Sequence, residues 1–249
     1  MGDQPVHRHL GLRSRGELDG AGIDVLHATG EDHRQPFPPA LRVGHGAGII
    51  GGDADQDDPT ALPTHGGGLV DDLVRSGKVN YIGISDTPAW VVSQANTLAD
   101  LRGWSRFVGL QIEYSLIQRT PERELLPMAR ALDITVTPWA VLGGGVLTGK
   151  YTGDPEQDEQ ADRKRTPSEK RLSKRNLAIA EVVKQVSSET GKSPSQIAIN
   201  WVRQQPGQII PILGARKAEQ LVDNLGCLEW SLSEDHLAKL DEVSACLLY

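Results

Sequence analysis

The first 67 residues contain no lysine, no tyrosine and no tryptophan, and Phe37 is their single aromatic side chain. The first lysine of the chain is Lys78. Gly and Pro recur through this segment, and neither a period near 3.6 nor a period of 2 persists in it, so it reads as mostly irregular. Cysteine is scarce as well. Cys227 and Cys246 stand near the C-terminus with neither a CxxC motif nor metal-ligand spacing, which reads as free buried thiols in a reducing cytoplasm. No run approaches the roughly 18 apolar residues of a membrane span, and no charged and apolar succession of a signal peptide opens the chain. Nor do basic residues collect in one run. With a formal charge of −7, this argues against nucleic acid or an acidic membrane as partner. The expectation is a soluble, cytoplasmic protein.

What is present is enough for a sizeable core, since 249 residues suit one α/β barrel or one doubly wound sheet. Residues 1–67 hold six of the seven histidines and, with five Arg against ten Asp and Glu, carry −5 of the −7 charge. His7 and His9, or His27 and His33, have no rigid frame to fix them as ligands, so no metal site is expected. The acidic run from Asp53 to Asp58 lacks the Glu that closes a calcium loop and reads as a solvated turn. Two short apolar runs, Ile23 to Leu26 and Gly48 to Ile50, are the candidate strands here.

From Gly68 onward the pattern becomes regular. Leu69, Leu73 and Val74 define an amphipathic helix, Gly77 stops it, and Val79 to Ile84 reads as a strand. Trp90, Val91, Ala95, Leu98 and Leu101 mark the next helix after Pro88. Phe107 to Ile112 and Ile134 to Pro138 read as buried strands on either side of a helix carrying Leu125, Met128, Ala129 and Leu132. Thr120 is the expected N-cap of that helix, with Pro121 in its first turn. A strand, a crossover of about twenty residues and a strand make a βαβ unit, which implies a parallel sheet with functional loops at its C-terminal strand ends. A polar insert to Arg175 is expected to be a mobile loop. Helices from Asn176 to Thr190 and from Pro194, a strand from Gln208 to Leu213, a helix from Lys217 to Leu225 and a last helix capped by Ser233 complete the chain.

Four ordered blocks in this region, GKVNYIGIS, QIEYSL, TPW followed by LGGGVLTGKY, and LGARKAEQLVDNLG, resemble the second half of an aldo-keto reductase. The likeness is greatest to the branch that includes bacterial aldo-keto reductases and potassium-channel β subunits, and it covers residues 68–249. It implies an α/β fold that is a partial (β/α)8 TIM barrel, strands 5 to 8 with their helices, preceded by the irregular segment 1–67. It also implies NADPH or NADP+ as cofactor. On this resemblance Ser85 and Gln111 hydrogen-bond the nicotinamide carboxamide, Trp139 stacks on the ring, and Leu142, Gly143, Gly144 and Gly145 bring backbone amides to the pyrophosphate, which Lys150 neutralises. Gly214 and Arg216 precede a helix N-terminus, where Arg216 grips a 2′-phosphate, while Gln220, Asp223 and Asn224 face the adenosine. Two departures stand out. Asp86 occupies the position of the usual Asn, and Ala140-Val141 that of the usual Ser-Pro, which removes one hydroxyl contact.

Family catalysis uses a tyrosine general acid, a lysine paired with an aspartate, and a histidine that orients the carbonyl. Residues 1–67 supply neither Tyr nor Lys, and only His27, at the end of IDVLH, is a candidate for the histidine. The expectation is therefore an NADPH-dependent oxidoreductase by family, reducing a small carbonyl compound to an alcohol, but impaired or inactive in this truncated chain. The alternatives are a catalytically silent NADP(H)-binding or regulatory protein, and an unstable fragment.

Overall fold

Strands in this chain form where β-branched residues alternate or run together, and helices where Ser or Pro opens an apolar stripe. The computed structural model describes residues 41–44, 47–51, 66–151 and 169–245, with side chains for 70–151 and 171–245. They belong to two units that divide after Val108. No helix among the described residues is long and apolar enough to cross a membrane.

In the first unit β1 (Leu41–Gly44) pairs antiparallel with β2 (Ala47–Gly51), and β2 pairs parallel with β3 (Tyr81–Ser85). β2 contains the expected Gly48 to Ile50 run. β1 lies in sequence that reads as irregular, because four residues show no usable period. The second candidate run, Ile23 to Leu26, lies outside the described residues, as do His7, His9, His27, His33, the Asp53 to Asp58 turn and Cys246. Helix α1 (Gly66–Arg75) precedes β3, and α2 (Ala89–Arg102) follows it and ends at Gly103 with φ 64°. In α2 the buried face is Ala89, Val92, Asn96 and Ala99, whereas Trp90 and Leu101 are 55% and 80% exposed. The apolar stripe read from Trp90 and Leu101 is thus rotated away from the true inner face. The reason is polar. Asn96 donates to the Phe107 carbonyl at 3.1 Å and accepts from the Phe107 amide at 2.9 Å, filling the place of a strand partner.

Asp71 repeats this pattern in α1, since it is buried although the expected inner face was Leu69, Leu73 and Val74. Its carboxylate accepts from the Ser105 amide at 2.8 Å and the Ser105 hydroxyl at 2.9 Å, and from the Arg75 guanidinium. Burial pushes this carboxyl up, but the bonds from Arg75 and Ser105 outweigh it and hold it below the usual value of 3.8.

The second unit is built on β4, which starts at Phe107 and ends at Glu113, and β5 (Thr135–Trp139), paired in parallel. The expected strand from Gln208 to Leu213 is present only as an extended segment beside β5. The Val136 amide donates to the Gln208 carbonyl at 2.8 Å, while the amides of Ile210 and Ile212 donate to Val136 and Pro138 at 2.9 and 2.8 Å. Pro211 has no amide proton to extend a ladder on its other edge. Between β4 and β5 the crossover is broken in two. Thr120–Glu122 is one 3₁₀ turn and α3 spans Leu125–Ala131. Thr120 therefore caps nothing: its hydroxyl donates to Gln118 Oε1 at 2.8 Å. Arg119 explains the break, because it draws Glu122 onto itself through Nε at 2.7 Å and Nη2 at 2.8 Å. A continuous helix from Thr120 would carry that carboxylate elsewhere.

Helix α4 (Lys174–Thr190) begins two residues before expectation, within the charged insert, because Ser173 accepts from the Asn176 amide. Helix α5 (Pro194–Arg203) has Ser193 as its cap, α6 spans Ala218–Leu225, and α7 (Glu234–Ser244) has the expected Ser233 cap. Ile179, Val183, Ile197, Trp201 and Leu240 from α4, α5 and α7 are fully buried in the core of this unit. Cys227 is buried and free, and burial raises its thiol despite Arg203, so it stays protonated and inert.

Two outcomes are expected. Ser193→Ala removes a cap and also the 2.7 Å bond from Ser193 to Asp223 of α6, whereas Ser233→Ala removes a cap alone. Urea melts should show a loss of about 1 kcal/mol for Ser233→Ala and a larger one for Ser193→Ala. For Asp71, whose folded value is depressed, the stabilisation is complete above pH 3.8 and vanishes as pH falls through the folded value. Asp71→Asn should flatten that acid limb of the urea midpoint against pH.

Candidate functional site

Alternation at period 2 sorts β4 and β5 onto two faces. Leu110 and Ile112 of β4 and Val136 and Pro138 of β5 are buried on one of them, and Gln111, Glu113, Thr137 and Trp139 lie half-buried on the other. The register sets Gln111 opposite Thr137 and Glu113 opposite Trp139. Gln111 and Trp139, both expected at strand ends from sequence, therefore share one face near the C-terminal end of the pair. Ser85 ends β3 in the first unit, where its carbonyl accepts from the Thr87 hydroxyl at 2.9 Å. Asp86 follows with φ 48°, a left-handed conformation that Asn and Asp tolerate better than other non-glycine residues.

Beyond Trp139 the chain reverses at Ala140, whose φ is 53°. Gly143, Gly144 and Gly145 all have positive φ, at 60°, 67° and 95°. The amide of Gly143 donates to the Ala140 carbonyl at 2.7 Å and that of Gly145 to the Leu142 carbonyl at 2.9 Å. Both amides are used to close the turn, so the expected approach of all these amides to a ligand is corrected for these two. The positive groups beside the turn are side chains. Lys150 Nζ lies 3.2 Å from the place of a Cβ on Gly145, and 4.8 Å from the centre of the Tyr151 ring. Arg171 approaches Gly144 in the same way, with Cδ at 3.5 Å and Nη1 at 3.7 Å. Its Nη2 pairs with Glu113 Oε1 at 2.7 Å.

Glu113 and Arg171 escaped the sequence reading for different reasons. Glu113 was findable, since it stands two residues beyond Gln111 and so on the same strand face. Arg171 sits in a charged insert where no periodicity separates it from its neighbours.

The segment around α6 behaves unevenly. Gly214 has no atom within 4 Å of a Cβ position, and the Arg216 amide donates to Gln220 Oε1 at 3.0 Å, so Gln220 holds the turn before α6. Gln220 is exposed, but Asn224 is buried and Asp223 turns toward α5. Asp223 accepts from the Ser193 hydroxyl at 2.7 Å and from Gln196 Nε2 at 3.0 Å. The three residues expected to share one ligand face therefore have three different surroundings.

Tyr114, at the end of β4, is not available as an acid. It is fully buried, its hydroxyl donates to Glu122 Oε1 at 2.8 Å, and its ring tilts against Trp201 with centroids 5.5 Å apart. Burial, with Glu122 adding to it, raises its hydroxyl far above the ordinary phenol range, away from what proton delivery near neutral pH requires.

The comparisons with known proteins agree with this α/β arrangement. Residues 54–245 match the model of the Aldo/keto reductase family, and the chain belongs to that family. The match begins upstream of the change in composition near Gly68. Among relatives, the probable aryl-alcohol dehydrogenase AAD4 of Saccharomyces cerevisiae is 33% identical over 172 residues, covering 69% of this chain and 52% of its own length. The uncharacterized oxidoreductase YrpG of Bacillus subtilis is 35% identical over 170 residues, covering 68% and 50%. The aryl-alcohol dehydrogenase [NADP(+)] of Phanerodontia chrysosporium is 33% identical over 183 residues, covering 68% and 45%. The chain thus spans about half the length of these curated relatives.

The glycine turn carries a specific expectation. At Gly143 an added Cβ would stand 2.6 Å from Ile117 Cδ1, whereas at Gly149, with φ 79°, its nearest neighbour is Pro194 Cγ at 3.9 Å. Gly149→Ala should lose about 1–2 kcal/mol from the left-handed backbone alone. Gly143→Ala should lose more, and equal urea midpoints would refute the close approach.

Proposed function

We propose that this chain is the dinucleotide-binding part of an NADPH-dependent aldo-keto reductase, acting on a small carbonyl compound or the corresponding alcohol. In this reading β3, β4, β5 and the segment 208–212 correspond to strands 5 to 8 of a (β/α)8 barrel, within a region that runs from residue 68 to 249. The observation that carries it is the placing of Gln111 and Trp139 on one half-buried face, followed at once by the glycine turn with Lys150 at its side. Residues 1–67 are atypical in composition in this proposal, although Ala47–Gly51 pairs with β3 and the family match begins at residue 54.

A dinucleotide fits this chain on chemical grounds. An amide at Gln111 can pair with a carboxamide, a half-exposed indole at Trp139 offers a flat surface to a ring, and the cations beside Gly144 and Gly145 suit a pyrophosphate. When bound, the cofactor supplies the hydride that converts carbonyl to alcohol. Ser85 and Gln111 would orient the carboxamide, and Trp139 would exclude water from one face of the ring. Leu142, Gly144 and Lys150 would hold the pyrophosphate. Gly214, Arg216 and Gln220 would hold the adenosine 2′-phosphate end, whereas Asp223 is engaged by Ser193 and Gln196 and Asn224 is buried.

Proton delivery draws on residues outside this cradle. The family uses a tyrosine and a lysine from its earlier strands, and residues 1–67 contain neither. His27, which lies outside the described residues, is the remaining candidate for the carbonyl-orienting histidine. The strand running parallel beside β3 is Ala47–Gly51, which carries no histidine. Turnover by this chain alone is accordingly proposed to be impaired, while binding is retained.

Titration of NADPH and NADH against tryptophan fluorescence tests the reading. NADPH is expected to bind about 10- to 100-fold more tightly, and Arg216→Leu to erase the difference. Trp139→Leu should remove most of the quenching. Indifference of wild-type fluorescence to both nucleotides would overturn the proposal, and aldehyde turnover at ordinary enzymatic rates would overturn the impairment.

A further inference from the structure

Arg171, among the described residues beside the glycine turn, is a charged group whose position the preceding roles do not explain. It is held from below by Glu113, the last residue of β4, through Nη2 at 2.7 Å, in a pair whose side chains are 29% and 23% exposed. Its other terminal nitrogen, Nη1, is buried and has no hydrogen-bond partner. An unmet guanidinium donor is costly, since burial removes water and nothing replaces it. The same nitrogen lies 3.7 Å from the place of a Cβ on Gly144, so a side chain there would crowd it. Gly144 also has φ 67°, and the next residue, Gly145, is flanked by Lys150 Nζ at 3.2 Å in the same measure. Two cations from different parts of the chain thus converge on consecutive glycines. The turn's own amides at Gly143 and Gly145 are meanwhile spent on Ala140 and Leu142.

We propose that Arg171 is a phosphate ligand: Glu113 fixes one arm of its fork, and the free arm, with Lys150, clasps a pyrophosphate or phosphate group laid across Gly144 and Gly145. To meet an anion, the guanidinium has to turn Nη1 outward while Nη2 stays on Glu113. Arg suits this task better than Lys because its planar fork serves two oxygen-bearing partners at once. Glu113 makes the arrangement selective. Without an anion, it is the sole negative partner of Arg171 among the described residues, which leaves a net positive charge at the turn once Lys150 is counted. The inference rests on the dinucleotide reading for the identity of its ligand, but not for the existence of the anion site.

The test uses the full chain and two probes, inorganic pyrophosphate followed by calorimetry and NADPH followed by fluorescence. Arg171→Gln is expected to weaken both by about 10- to 100-fold. Arg171→Lys, which keeps the charge but not the fork, should recover part of the loss, and it carries the test if Arg171→Gln does not fold. Glu113→Gln is the discriminating variant. If Arg171 binds phosphate, removing the carboxylate leaves affinity equal or raises it; if the pair is only a brace, Glu113→Gln and Arg171→Gln weaken binding alike, and the proposal fails. NADPH bound equally by wild type and Arg171→Gln would overturn the role of Arg171 and leave the dinucleotide reading standing. Pyrophosphate bound in an Arg171-dependent way, with no NADPH binding, would support the anion site and sink the dinucleotide reading. Binding of neither probe by the wild type would overturn both.

Discussion

The parallel register of β4 and β5 is the constraint on which the rest of the second unit depends. It sets Glu113 opposite Trp139 and Gln111 opposite Thr137, and the pleat then decides which side chains meet the helices and which do not. A slip of one residue would bury Gln111 and Trp139 and expose Ile112 and Pro138. Nothing local to those residues prevents the slip. What prevents it is the burial of Leu110, Ile112 and Val136, which rewards one register and penalises the other by several side chains at once.

A second constraint holds the far end of β4. Arg119 lies over the Trp201 ring at 5.1 Å and reaches Ser244 Oγ at 2.8 Å and Asp241 at 3.1 Å, while Trp201 Nε1 donates to Asp241 at 3.1 Å. With Glu122 and Tyr114 these groups form one polar cluster joining the loop after β4 to α5 and α7. Its members satisfy one another, which is the condition under which buried charges are tolerated. The contrast with Arg171 is instructive. Both are arginines paired with a glutamate, yet all the donors named for Arg119 find protein partners, whereas one terminal nitrogen of Arg171 finds none. The first arginine is spent on the fold, whereas the second keeps one donor unmatched.

Membership of the Aldo/keto reductase family fixes lineage more firmly than activity, because activity lives in a few positioned groups. In the proposed reading the groups suited to a dinucleotide lie between Ser85 and Asn224. The relay that would pass a proton to the carbonyl oxygen draws on strands that residues 1–67 do not reproduce in composition. Binding and turnover are therefore proposed as separable properties here, since they rest on different groups.

Much of this was legible in the amino-acid order alone. Pro194 and Ser233 before apolar stripes announced α5 and α7, and the β-branched runs announced β4 and β5 to within a residue or two, because capping and pleating are local effects. Trp139, the three glycines after it and Lys150 were legible as a candidate site because they are contiguous and carry the family resemblance. Long-range polar demands were not legible. Asn96 rotated the inner face of α2 to reach Phe107, Asp71 turned inward to meet Ser105, and Arg119 broke a crossover helix by claiming Glu122. The sequence by itself thus determined most of the elements after Gly68, the family and the contiguous half of the candidate site. Only the tertiary structure decided that Arg171 meets Glu113 across 58 positions of chain, since a hydrogen bond between distant residues leaves no period for a sequence to display.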